Sequence, residues 1–190
     1  MSIKKIVIYG DEILRKPTRQ VTKISSKVKS LVKDLKDTMY ALNGVGLAAP
    51  QIGSDLRVFV IDVSEDNQPF NPIVFINPVI IKKSGAYNSY EGCLSFPDVY
   101  THVRRYSYVK VKALDINGRT FVLEADDGTL LARAIQHEFD HLEGILFVDH
   151  CRNKFETDKE LVDKKLSPTE SDRLIDEPEI ENELSSITEI

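Results

Sequence analysis

The sequence predicts an α+β fold in which antiparallel-rich mixed sheets pack around a central helix carrying His-Glu-x-x-His, a metal-binding pattern. Three observations predict it. Short runs rich in Val, Ile and Phe recur between turn signals, as strands do. Few stretches repeat apolar residues at helical spacing, so helices are in the minority. One of those stretches holds His137-Glu138-Phe139-Asp140-His141. A chain of 190 residues is long enough for one core-forming domain.

At the N-terminus, Ile3-Lys4-Lys5-Ile6-Val7-Ile8 reads as structure and lacks the apolar stretch and cleavage pattern of a signal peptide. Ser25 or Ser26 can cap a helix whose apolar positions are Val28, Leu31, Val32, Leu35, Met39 and Leu42, ending near Asn43-Gly44. Residues 56–62 read as a buried strand. Residues 73–81 carry two short β-like runs broken at Asn77-Pro78, because proline has no N–H for a ladder. Residues 106–114 and 120–125 are two strands around the turn signal Asp115-Ile116-Asn117-Gly118-Arg119. A second turn, Asp126-Asp127-Gly128, precedes an N-cap at Thr129, and Gly144 supplies the C-terminal stop of the motif helix. Past Lys154 the pattern weakens. Residues 160–166 can form a short helix, and Ser167-Pro168-Thr169 and Asp176-Glu177-Pro178-Glu179 interrupt the remainder of the chain. The expected organisation is a catalytic domain over 1–150 and an acidic extension over 151–190, with a short helix and then little order.

Charge is local. The formal net charge is −5, and residues 151–190 hold twelve acidic and six basic side chains, so the first 150 are close to neutral. No basic footprint for sequence-specific nucleic-acid binding is present. No apolar run is long enough for a membrane span. The two cysteines fit a reducing cytoplasm.

On a helix, a four-residue step passes a full revolution by about 40°, so His137 and His141 project from one face with Glu138 beside them. Two nitrogen ligands and a base can thus reach one cation and its water. Leu131, Ile135, Phe139 and Leu142 share a core-facing side. Arg133, Gln136, Asp140 and Glu143 share a side for water or polar partners. Leu130 and Ala134 lie behind the two histidines, which predicts an apolar pocket beside the metal. The third ligand decides the class. In the extended zinc-peptidase pattern Gly144 fits, but Phe147 stands where a third histidine belongs, and His150 is out of phase. His102 lies upstream beside Arg104 and Arg105. Cys93 is the better candidate, since a thiolate with two imidazoles leaves a fourth position open. For a cysteine taken alone, a small buried hydrophobe is the commoner role.

Three separated segments, Gly44-Val45-Gly46-Leu47-Ala48-Ala49-Pro50-Gln51, Glu91-Gly92-Cys93-Leu94-Ser95 and Gln136-His137-Glu138-Phe139-Asp140-His141, together resemble the peptide deformylase family over essentially residues 1–150. Gly118 and the run to Asp149 also look like that family's turn and closing strand region. The resemblance implies Cys93, His137 and His141 as metal ligands and Glu138 as general acid/base, with metal-bound water attacking the formyl carbon. It implies the Gln51 side chain and the Leu94 N–H as oxyanion donors. Gly44, Val45 and Gly46 would lie along a substrate-facing edge, and Leu130 and Ala134 would receive the methionine side chain. Glu91 and Arg105 would form a buried ion pair behind the cysteine loop, with Asp140 as further support. Ser89 stands where many relatives carry an apolar residue, and Tyr100 where many carry arginine.

The implied reaction is removal of the formyl group from N-formylmethionyl peptides, on nascent chains at the ribosome in a bacterial cytoplasm, with release of formate. Fe(II) is the implied cellular metal, and Zn, Ni or Co suit the same ligands in purified protein. Two competing readings make different demands. A general zinc peptidase needs a third ligand downstream of His141. A non-catalytic formyl-peptide-binding relative needs the binding positions only. Cys151 has no expected role.

Overall fold

Strand β2 (Val58–Ile61) is buried along its whole length, and it divides the core. Its side chains alternate between the two faces of a sheet, as the two-residue strand period requires. Val58 and Val60 join one apolar cluster with Val28, Val32, Leu35 and Met39. Phe59 and Ile61 join another with Phe75, Val111, Ile135 and Leu142. The computed structural model describes residues 3–65, 68–126, 128–170 and 175.

The sheet has five antiparallel strands in the order β1-β2-β3-β6-β7, with β1 Gly46–Ala48, β3 Ile73–Ser84, β6 Tyr108–Leu114 and β7 Thr120–Ala125. Helix α1 (Ser26–Ala41) covers one face and helix α2 (Leu130–Glu143) the other. A separate antiparallel pair, β4 (Tyr87–Cys93) and β5 (Phe96–Arg105), stands beside α2. Among the described residues the one parallel pairing is an isolated bridge between Arg19 and Leu56, so the sheets are antiparallel rather than mixed. A third cluster joins Leu14, Phe96, Val99, Val103, Phe147 and Leu161.

Several boundaries differ from the sequence reading, each for a physical reason. Residues 73–84 form one strand with a register shift between Ile76 and Val79, not two runs with a break. Asn77 takes φ +50°, and its side-chain amide exchanges two hydrogen bonds with the Val21 backbone at 2.8 Å each. The missing Pro78 N–H falls inside that bulge, where the ladder is already interrupted. Ser25 occupies the N-cap position of α1 but makes no capping hydrogen bond with its side chain. The expected closing strand before Asp149 is a 3-10 turn, Phe147–His150, followed by a single bridge from Cys151 to Val103.

The hairpin β4–β5 gives no clear strand signal in the sequence, because Gly92, Ser95 and Pro97 interrupt its composition. Helix α3 spans Lys154–Asp163, earlier than expected, with the Asn153 side chain accepting from the Glu156 N–H. Leu161 of α3 is fully buried, so the start of the extension packs into the same core as Leu14 and Phe96. Asp127 and most of the segment expected to lack order (171–174 and 176–190) lie outside the described residues.

Helix α2 begins and ends as its sequence dictates. The Thr129 hydroxyl accepts from the Ala132 N–H, and Gly144 takes φ +72°. A side chain at residue 144 would also place a Cβ 2.5 Å from the Arg15 carbonyl oxygen. Gly144→Ala therefore meets both a left-handed backbone and a backbone clash. The expected outcome is a loss of roughly 2–4 kcal/mol, read by chemical denaturation.

Candidate active site

Helix α2 presents its histidines to the inner face of β4. The nearest donor atoms of Cys93, His137 and His141 all lie within 4.8 Å of one another. Cys93 Sγ is 3.3 Å from His141 Nε2. His137 Nδ1 is 3.1 Å from Glu91 Oε2. The neighbouring Arg105 guanidinium outweighs the cost of burial and keeps Glu91 well below the usual carboxylate range. An ionised carboxylate only accepts, so Nδ1 carries a proton, and Nε2 is the nitrogen left for the cluster.

Burial depresses His141 well below its ordinary pKa, which keeps its imidazole neutral. Burial acts the same way on His137, but the Cys93 sulfur and Glu91 beside it hold its pKa well above the ordinary value. Two neutral-capable imidazoles and a thiol around one point, next to an anionic carboxylate, are a donor set that fits a divalent cation. His141 Nδ1 is buried without a hydrogen-bond partner.

Glu138 is 5% exposed, and its Oε2 has no hydrogen-bond partner. Desolvation raises its pKa to about 7. The reason it sits so firmly is Gly46. A Cβ on Gly46 would lie 2.5 Å from Glu138 Oε1 and 2.9 Å from its Cγ and Cδ. The Glu138 carboxylate therefore packs against a residue that must lack a side chain. Gly44 is less constrained, since its nearest contact would be the flexible end of Leu94 at 3.0 Å.

Behind the cluster runs a chain of alternating charge. Arg105 donates to both oxygens of Glu91 at 3.0 and 2.9 Å and to Asp140 Oδ2 at 2.5 Å. Asp140 Oδ2 also lies 3.0 Å from His150 Nε2. Arg105 is 2% exposed and Glu91 7%. Charge pairs this deep are held by geometry, and removing one partner costs about 3–5 kcal/mol. His150, whose phase in the sequence does not suit a ligand, is thus engaged by Asp140. Only the structure could supply that, because the turn Phe147–His150 bends it back towards α2.

Gln51 is 1% exposed and sits in the 3-10 turn Ala49–Ile52. Its Oε1 accepts from the Ala48 N–H at 2.8 Å, which aims Nε2 at Cys93 Sγ and Ser95 Oγ, 3.4 Å from each. These groups open onto a cavity of about 750 Å³. Its wall includes Gly44, Val45, Gly46, Leu94, Leu130 and Ala134, the residues that the sequence assigns to substrate and oxyanion. Arg133 also lines it and donates to the buried Ser89 hydroxyl at 3.1 Å, a polar contact that the helical pattern could not reveal.

A partly buried Cys-His-His cluster with a carboxylate of raised pKa above an open cavity defines the class of metal-dependent hydrolases. The family model for polypeptide deformylase matches residues 3–156, and the chain belongs to that family. It is 51% identical to peptide deformylase 1 of Clostridium perfringens over 150 residues, covering 79% of this chain and 99% of that one. It is 46% identical to peptide deformylase 1 of Bacillus subtilis over 163 residues, covering 86% and 98%. The crystal structure of a peptide deformylase from Synechococcus elongatus in complex with actinonin matches with a TM-score of 0.83 at 38% identity, over 94% of each chain.

The contact between Gly46 and Glu138 generates a prediction. Gly46→Ala should displace the carboxylate and lower kcat by about 100-fold, as misplacement by an ångström does. Steady-state kinetics beside a thermal melt would check this; an unchanged kcat in a folded variant would contradict it.

Proposed function

We propose that this deformylase removes the formyl group from N-formylmethionyl chains by hydrolysis, with Cys93, His137 and His141 as metal ligands and Glu138 as the proton carrier. The observation that carries the assignment is the convergence of one sulfur and two ring nitrogens beside a buried carboxylate. A cation held there supplies Lewis-acid polarisation and acidifies water. The ligand set suits Fe(II) in the cell, and Zn, Ni or Co in purified protein.

The remaining steps belong to the chain's own residues. With a pKa of about 7, Glu138 takes a proton from the attacking water and returns it to the leaving amine. Both transfers need a group that is neither strongly acidic nor strongly basic at neutral pH. The Gln51 amide and the Leu94 N–H stabilise the oxyanion that develops on the formyl oxygen. Among the described residues strand β1 pairs only with β2, so its other edge can accept an extended peptide along Gly44, Val45 and Gly46. Leu130 and Ala134 form the apolar wall for methionine. Glu91, Arg105 and Asp140 hold His137 from behind.

The substrate is a nascent chain at the ribosome, and the setting is the bacterial cytoplasm. Bacterial relatives and a cysteine that must stay reduced support this. Among the described residues no helix is long and apolar enough to cross a membrane. The peptidase reading lacks its downstream ligand, since Cys93, His137 and His141 are the only group of this kind among the described residues.

Formate release from formyl-Met-Ala-Ser tests the reading, and cleavage of unblocked peptides without formate release would overturn it. Glu138→Ala should keep its metal, by elemental analysis, and lose turnover by several orders of magnitude. Cys93→Ser should bind the metal more weakly, because a hydroxyl is a poorer soft-metal ligand than a thiolate; a chelator titration reads the difference.

A further inference from the structure

The wall that helix α2 turns towards the cavity is not wholly apolar. Leu130, Arg133, Ala134 and His137 all line it, three and four residues apart, as side chains on one helical face do. Arg133 therefore stands one turn before the ligand His137. Its guanidinium spans to strand β4, where Nη1 donates to the Ser89 hydroxyl at 3.1 Å. Ser89 is 2% exposed and precedes Glu91 on the inner face of β4. The head group that reaches it lies at the inner wall of the cavity, away from its mouth.

The contact with Ser89 leaves this guanidinium only partly used. Arginine carries several N–H donors, accepts nothing and stays charged. Arg133 Nε is buried without a hydrogen-bond partner. A buried donor with no acceptor is costly, and more so when it is charged. The methionine that Leu130 and Ala134 receive offers little relief, because a thioether is a weak acceptor. Oxidation to the sulfoxide makes that side chain polar and gives it an oxygen that accepts well. The cavity wall also holds Glu91, Glu138 and Asp98, set against Arg133, Lys4 and Lys5, so neither sign of charge dominates. A neutral dipole therefore suits this wall better than a carboxylate.

We propose that Arg133, oriented by Ser89, lets this enzyme deformylate chains that begin with formylmethionine sulfoxide, by donating a hydrogen bond to the sulfoxide oxygen. The inference rests on the deformylase reading, with Leu130 and Ala134 as the methionine wall. The reaction is unchanged: water adds to the formyl carbon, the C–N bond breaks, and formate and a free amine leave. Arg133 changes the cost of taking an S=O group out of water. Against a purely apolar wall that oxygen would lose its hydration without compensation. Here it exchanges water for a charge-assisted donor. The sulfoxide sulfur is chiral and the guanidinium is pinned at Ser89, so one epimer is favoured over the other.

The test is formate release from formyl-Met(O)-Ala-Ser, with each sulfoxide epimer assayed separately beside formyl-Met-Ala-Ser. In the wild-type enzyme the better epimer should reach a kcat/KM within about tenfold of the thioether, with the difference in KM. Arg133→Met keeps a long side chain but not its donors, and should lower the sulfoxide-to-thioether ratio by about a further tenfold or more. Ser89→Ala keeps the cation but removes its anchor, and should lower the same ratio by about threefold. It decides the matter if Arg133→Met does not fold. A wild-type ratio below that range for both epimers, or a ratio that the folded variants leave unchanged, overturns the proposal, while formate from the thioether peptide upholds the deformylase reading. No formate from any peptide overturns both.

Discussion

The buried guanidinium of Arg105 is the constraint on which the site depends. It lies between Glu91 on β4 and Asp140 on α2, and so ties the two-stranded hairpin to the motif helix. Desolvating three charges costs several kcal/mol each, and such a cluster persists only where the geometry satisfies every one. Here two carboxylates face one cation, which leaves an excess negative charge directly behind His137. That excess has two consequences. It holds a proton on His137 Nδ1, facing Glu91, and turns the other nitrogen towards the cluster. It also makes the cluster electrostatically hungry for a cation, which a neutral backing would not.

The same tie explains why Glu138 can remain ionisable near neutrality. Its carboxylate gains no hydrogen bond at Oε2 and lies against the bare Cα of Gly46. Burial therefore lifts its pKa, and the negative charges of Glu91 and Asp140 lift it further, against the opposing pull of His137. An exposed glutamate at this position would keep the lower pKa of a solvated carboxylate. The raised value is a property of the packing, since burial and two nearby acids lift it against the cations of His137 and Arg105.

Much of this is legible in the sequence, and the reasons for the rest are physical. The motif helix announces itself through Thr129, Gly144 and its apolar side, where Ile135 and Leu142 are fully buried. The buried strand near Val58 is legible because both its faces are apolar. The hairpin carrying Cys93 is not, because Gly92, Ser95 and Pro97 stand where strand propensity wants β-branched residues. The partners of Asp140 are invisible for another reason: Arg105 is far away in the chain and His150 lies beyond the end of the helix, and only packing brings them to one carboxylate. The contact between Gly46 and Glu138 is not legible either, because a glycine marks a close approach without saying what approaches.

The alternation of a β-strand has a further consequence for how such an enzyme can vary. Along the paired stretch of β4 and β5, Ser89, Glu91, Thr101, Val103 and Arg105 hold the chemistry in place, and Tyr90, Tyr100 and His102 meet water on the other face. The two sets share a backbone but not an environment. A substitution at Tyr90 or Tyr100 falls on a side chain that is already more than half exposed. A substitution on the inner face disturbs charges whose only compensation is one another. The hairpin therefore separates a face that is fixed by the electrostatics of burial from one that faces water. The separation follows from the two-residue period alone.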